Sequence, residues 1–151
     1  MKQPLTVSEA RSRAEALCSR SEYSDGQIAR KLQQWGIGSQ DTASIIDHLI
    51  NERYINNTRF GRAFALDKLR YNAWGRIKIQ QALHLAGVCE ADIRAAFDEI
   101  PKEEYRQVLR TVIDRKARQL KGEEDDYPRR GKLIRHALSH GFEMELVMDE
   151  V

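Results

Sequence analysis

The chain has 151 residues, 41% of them hydrophobic and 32% charged, and a formal net charge of +2. That length suits one compact domain or a short array of units of roughly 50 residues, with enough apolar material for a core beneath an ionic surface. No run approaches the roughly 18 uninterrupted apolar residues of a membrane span, and Met1-Lys2-Gln3-Pro4-Leu5 lacks the apolar stretch of a secretory signal, so a cytoplasmic protein without membrane contact is expected.

Helical punctuation is legible from the start. Thr6 followed by Glu9 reads as a capping box, in which hydroxyl and carboxylate satisfy free backbone N–H groups. Val7, Ala10, Ala14, Leu17 and Cys18 then recur at three- and four-residue steps, predicting a first helix that ends near Ser21. Ser24 with Gln27 repeats the signal, Ile28 and Leu32 supply the apolar stripe, and Gly36-Ile37 is a left-handed helix stop. A third helix, capped by Ser39 or Asp41, is expected to bury Ile45, Ile46, Leu49 and Ile50.

Asn56-Asn57 interrupts that pattern, because short amide side chains compete for backbone hydrogen bonds. A longer helix follows from about Thr58 to Tyr71 on Phe60, Ala63, Phe64 and Leu69; Gly61 within it costs about 1 kcal/mol relative to Ala, which a close helix–helix approach would offset. Gly75 to Ala86, with Ile79 and Leu83, ends at Gly87-Val88, and a short helix then reaches Glu99. Pro101 suits the first turn of a helix carrying Tyr105, Val108, Leu109, Val112, Ile113 and Ala117. Gly122 to Tyr127 reads as a solvated connection that includes the acidic run Glu123 to Asp126. Arg130 to His140, with Leu133 and Ala137, closes at Gly141-Phe142, and a last helix holds Met144, Leu146 and Val147.

The same segment therefore returns three times: an amphipathic helix ending in glycine, an apolar residue, then a short helix. Aligning Gly36, Gly87 and Gly141 also aligns Ile46, Phe97 and Val151. With no sustained period-two alternation, the expectation is an all-α protein, a tandem array of three three-helix repeats over residues 1–56, 57–100 and 101–151. Short linkers and modest apolar stripes favour stacking into an elongated, curved molecule, a shape suited to binding.

Catalytic and metal chemistry find little footing. Cys18 and Cys89 lie among apolar helical residues with no second ligand at metal spacing, and read as small buried hydrophobes. His136 and His140 stand four apart without a third ligand, and neither a Gly-x-Ser-x-Gly elbow nor a phosphate-binding glycine loop occurs. No cofactor is expected.

Charge, by contrast, is concentrated. Residues 1–58 hold seven basic and seven acidic groups, whereas Arg59, Arg62, Lys68, Arg70, Arg76 and Lys78 face only Asp67 across twenty positions. Interleaved with Phe60, Phe64, Tyr71 and Trp74, these form a basic middle stretch able to meet acidic protein or phosphates, with rings that stack on bases or fill a partner's pocket. Arg59, Arg62, Lys68, Arg70, Trp74, Arg76 and Lys78 are the candidate partner-binding residues, and Arg62, Arg70, Arg76 and Lys78 are expected to point outward. Phe60 and Phe64 follow core spacing.

At these residues the chain resembles the RecX family of RecA regulators. The matching elements are Glu22-Tyr23-Ser24 leading to Lys31-Leu32 and Gly36, the run Ile45-Ile46-x-x-Leu49 to Tyr54-Ile55-Asn56-Asn57-x-Arg59-Phe60-x-Arg62-Ala63-Phe64, and Trp74-Gly75-x-Ile77 with Leu83 before Gly87. Asn56 and Asn57 stand where the family usually has acidic residues, and the third repeat shares chiefly its glycine and apolar spacing. The resemblance implies a crescent of three-helix units lying in the groove of a RecA filament on DNA. It further implies inhibition of ATP hydrolysis, strand exchange and coprotease activity by a monomer that needs no cofactor, within DNA repair and the SOS response. Contact with single- or double-stranded DNA is part of that picture. The alternative is a helix-turn-helix DNA-binding regulator, but the helix after Gly36 offers Gln40, Thr42, Ser44 and Asp47, poor chemistry for a phosphate-lined groove.

Overall fold

The computed structural model describes residues 5–122 and 125–151, so Met1 to Pro4 and the Glu123-Glu124 part of the acidic run lie outside the described residues. Among those residues all regular structure is helical: α1 (Val7–Arg20), α2 (Asp25–Gln34), α3 (Ser39–Asn51), α4 (Asn57–Asn72), α5 (Arg76–Leu85), α6 (Glu90–Asp98), α7 (Lys102–Gln119), α8 (Asp126–Ser139) and α9 (Met144–Glu150). The chain divides into two compact units, one comprising residues up to Gly61 with Leu83–Ile93, the other Arg62–Ala82 with Arg94–Val151.

In the first unit the caps form as the side-chain chemistry requires. Thr6 Oγ1 accepts from Glu9 N–H at 3.1 Å, and Ser24 and Gln27 exchange reciprocal bonds at 3.1 Å across the start of α2. Ala10, Ala14, Ile28, Leu32, Ile37, Ile45, Leu49 and Ile55 form its core, each buried at 7% exposure or less. Two local expectations are corrected. The N-cap of α3 is Gly38, whose extended backbone ends the preceding turn before Ser39 is reached, and Ile50 is 43% exposed because only Ile45 and Leu49 fall on the inward stripe with Thr42. Asn56 caps α4 by accepting from Arg59 N–H at 2.9 Å, while Asn57 reaches back to accept from Asp25 N–H at 3.0 Å.

The second unit buries Ala65, Leu69, Ile79, Ala96, Ile100, Tyr105, Leu109, Leu133, Ala137, Phe142 and Val147. Tyr105 and Phe142 meet with ring centroids 5.2 Å apart at 52°, a tilted pairing worth about 1 kcal/mol beyond the area it hides. Pro101 stands one residue earlier than the sequence suggests, as the N-cap of α7.

The three repeat ends share one geometry. Gly36, Gly87 and Gly141 have φ of +86°, +84° and +94°, and the apolar residue after each turns its N–H back to a carbonyl five residues earlier: Ile37 to Leu32, Val88 to Leu83, Phe142 to Ala137. Two helix ends reach the left-handed region without glycine, at Arg53 (φ +63°) and Ala73 (φ +53°).

Candidate functional site

Each arginine of the basic middle stretch is matched to a glutamate far away in sequence. In the first unit Arg59 Nε lies 2.6 Å from Glu22. In the second, Arg62 Nε lies 2.9 Å from Glu99, and Arg70 grips Glu104 with Nε at 2.6 Å and Nη2 at 3.0 Å. That fork raises the Arg70 pKa and holds the Glu104 carboxyl below its usual range, two shifts that agree on one bond. Both partners are partly exposed, so solvent screening keeps the contribution of the pair small.

Arg76 does not point outward. Its side chain is 26% exposed, its guanidinium carbon lies 3.9 Å from the centre of the Tyr105 ring, and Nη1 donates to Glu143 at 2.7 Å. Its backbone N–H donates to the Tyr105 hydroxyl at 2.9 Å, and that hydroxyl donates in turn to Glu143. Burial first, then the bond to Glu143, pushes the Tyr105 hydroxyl far above the usual phenol range, so it remains a donor at any physiological pH. Arg76 is thus a structural pin, lost to the candidate face because the short α5 begins against α7 and the loop before α9.

Lys68, Trp74 and Lys78 are brought together. The Lys68 and Lys78 ammonium groups lie 4.9 and 4.8 Å from the Trp74 ring centre, and Lys68 is also 5.5 Å from Phe64. Neither lysine pairs with a carboxylate among the described residues. Two cations beside one half-buried indole gain about 0.5–1 kcal/mol each from the ring. Ala73, in its left-handed conformation, makes the turn that swings Trp74 between the two helices carrying the lysines.

The other candidates recede. His136 and His140 have ring centres 4.8 Å apart, but His140 Nδ1 is engaged with Ala73 O at 2.9 Å, and burial and then His140 lower the His136 pKa. No group of three or more metal-ligating side chains gathers among the described residues. No helix among them is long and apolar enough to cross a membrane. Of the base-reading positions a helix-turn-helix would use, Thr42 is buried. Sequence inspection missed the glutamates because no local spacing signals pairings made across 34 to 67 residues.

A chain of consecutive glycine-closed three-helix modules carrying a cationic-aromatic group belongs to the class of tandem three-helix-module proteins. Residues 56–96 match the family model described as the second three-helix domain of RecX, and residues 103–149 match the third, together more than half of the chain. The chain belongs to the RecX family. Regulatory protein RecX of Clostridium beijerinckii is 31% identical over 117 residues, covering 77% of this chain and 53% of that protein. The one from Acinetobacter baylyi is 26% identical over 148 residues, covering 97% and 89%. The chain spans about half the length of its Oceanobacillus and Clostridium relatives, 45% to 58%. The crystal structure of RecX from Lactobacillus salivarius superposes with a TM-score of 0.87 at 16% identity, covering 95% of this chain and 93% of that one, a likeness of fold.

Proposed function

We propose that this chain is a cytoplasmic, non-enzymatic inhibitor of a RecA recombinase, acting by attachment to the recombinase filament on DNA. The relatives bear the name of a regulatory protein, and the observation that carries the reading on this chain is the Lys68–Trp74–Lys78 group. Its two ammonium groups and indole suit a carboxylate-bearing protein surface in the filament groove, or the phosphates of the DNA within it. Inhibition of ATP hydrolysis, strand exchange and coprotease activity then follows from differential affinity. The bound protein favours a filament state that cannot hydrolyse ATP or extend, since equal affinity for all states shifts nothing. Its setting would be the control of DNA repair and the SOS response.

The test is RecA ATPase on single-stranded DNA, titrated with the protein well below the recombinase concentration. Wild type is expected to inhibit, and the combined variant Lys68→Glu, Trp74→Ala, Lys78→Glu to inhibit at least tenfold less at unchanged helical content. Failure of the wild type to inhibit overturns the recombinase reading; full inhibition by the variant removes this group from it.

A further inference from the structure

Twice in this chain the second helix of one repeat receives the glycine end of the second helix in the next. At the first joint Gly26 lies so close to the end of α5 that a β-carbon there would fall 2.5 Å from Ala86 O. Ser24 Oγ donates to that same carbonyl at 2.5 Å, and Arg30, four residues after Gly26, donates from Nη2 to Leu85 O at 2.7 Å. A helix end presents free carbonyls and partial negative charge, so a glycine floor and an arginine form a socket matched to it. At the second joint Gly75 takes the end of α8 by backbone alone: its N–H donates to His140 O at 2.7 Å, and Ile77 N–H donates to Gly141 O at 3.0 Å.

Aligned on the closing glycines Gly36, Gly87 and Gly141, Gly26 and Gly131 both fall ten residues before the stop, and Arg30 and Arg135 both six before it. The third repeat therefore carries the glycine–arginine pair of the first, and no described residue fills it. A β-carbon at Gly131 would meet only the Arg135 guanidinium tip, at 3.4 Å. Around it opens a recess of about 410 Å³ lined by Tyr127, Arg130, Ile134 and Arg135, with Tyr127 88% exposed. Neither Arg130 nor Arg135 pairs with a carboxylate among the described residues. A glycine inside α8 weakens that helix, and no close backbone approach among the described residues repays it. Because α8 starts a turn earlier than α2, Arg129 replaces Ser24 and donates to Ala117 O at 3.4 Å instead, leaving the two exposed arginines to hold the occupant.

The complementary part is also present. The end of α2 at Gly36 has the same left-handed closure as the two ends that are received, and Gln33, Gln34 and Gly36 are exposed. We infer that the α8 face around Gly131 and Arg135 is a socket for the Gly36 end of α2 in a second copy of this chain. The contact joins two different surfaces, the end of α2 in one copy and the α8 face in another. An extended polyanion would use the arginines but has no need of the glycine floor, which is why a helix end is the better occupant. The inference stands independently of the recombinase reading.

Sedimentation velocity of the full chain from about 10 µM to about 1 mM, the span over which weak contacts register, tests it. The wild-type sedimentation coefficient is expected to climb above the monomer value, while Gly131→Leu and Arg135→Glu, folded by circular dichroism, associate at least tenfold more weakly. Gly131→Leu keeps its Gly36 end, so adding it to wild type is expected to compete for the wild-type socket and lower the sedimentation coefficient. A wild type monomeric throughout, or variants that associate like it, overturns the inference. So does association abolished by nuclease, which would assign the face to nucleic acid.

Discussion

Alanine at Gly75 and at Gly131 is expected to act in opposite directions, and the difference tests the joint geometry directly. A β-carbon at Gly75 overlaps the backbone of Gly141 and Phe142, atoms that no rotamer change can move. Relief requires the end of α8 to withdraw, stretching the bonds from Gly75 N–H to His140 O and from Ile77 N–H to Gly141 O. Each is worth about 0.5–1.5 kcal/mol and overpacking typically costs 1–3, against roughly 0.4–1 kcal/mol returned by the stiffer unfolded chain. The net loss is about 1–5 kcal/mol, a fall in Tm of roughly 2–20 °C for a chain of this size. At Gly131 the same methyl meets only the flexible Arg135 tip, so Gly131→Ala is expected to gain about 1 kcal/mol of helix propensity and raise Tm by about 2–4 °C. Urea and thermal melts followed by far-ultraviolet circular dichroism read both. A Gly75→Ala protein within about 0.5 kcal/mol of wild type, or a destabilised Gly131→Ala protein, would refute the reasoning.

Ala73→Gly is expected to stabilise by about 0.5–1 kcal/mol, since it relieves a left-handed alanine at φ +53°; a urea melt showing a loss of stability would contradict this. Burial, and then Glu22, push the Cys18 thiol up to about 11, so at pH 8 only about one molecule in a thousand carries the thiolate there. A thiol reagent should therefore label exposed Cys89 first, and Cys89→Ser should abolish the fast phase while Cys18→Ser leaves it. Arg110 and Arg106 bind the Glu150 carboxylate and hold its pKa below 4.5. A depressed folded pKa contributes stability above the unfolded value that disappears as pH falls through the folded one. Glu150→Gln should accordingly be less stable at pH 7 and lose less than wild type on acidification below about pH 4.5.

The helices and their stops were readable because they depend on neighbours in sequence. The Ser24–Gln27 capping box and the glycines at 36, 87 and 141 form bonds spanning three to five residues, and those bonds stand as the spacing implied. Burial was readable where the stripe was strong, as at Ile28 and Leu32, and misread at Ile50, which extends the α3 stripe past the surface it meets. The candidate face was the least legible part. Counting charges along residues 59–78 registers six cations and one acid, but folding delivers Glu104 from α7 and Glu22, Glu99 and Glu143 from interhelical connections to that stretch. What a local charge count cannot see is where distant carboxylates arrive.

That pairing follows the chemistry of the two cations. Arginine presents a planar fork of donors that a carboxylate can occupy in fixed geometry; Arg70 holds Glu104 in this way, and Arg59, Arg62 and Arg76 each pair with a glutamate through one nitrogen. Lysine is a compact, strongly hydrated point charge on a flexible stem, and the two lysines of the stretch sit beside Trp74 with no glutamate assigned to either. The arginines tie distant segments together, while the proposed role of the two ammonium groups is to meet an outside anion. Arg70→Lys should consequently loosen the tie between α4 and α7 slightly without altering partner binding, whereas Lys68→Met and Lys78→Met together should leave the melt within about 0.5 kcal/mol of wild type and reduce filament inhibition. If the arginine substitution instead proves the more damaging to inhibition, the division of labour between the two residue types is wrong.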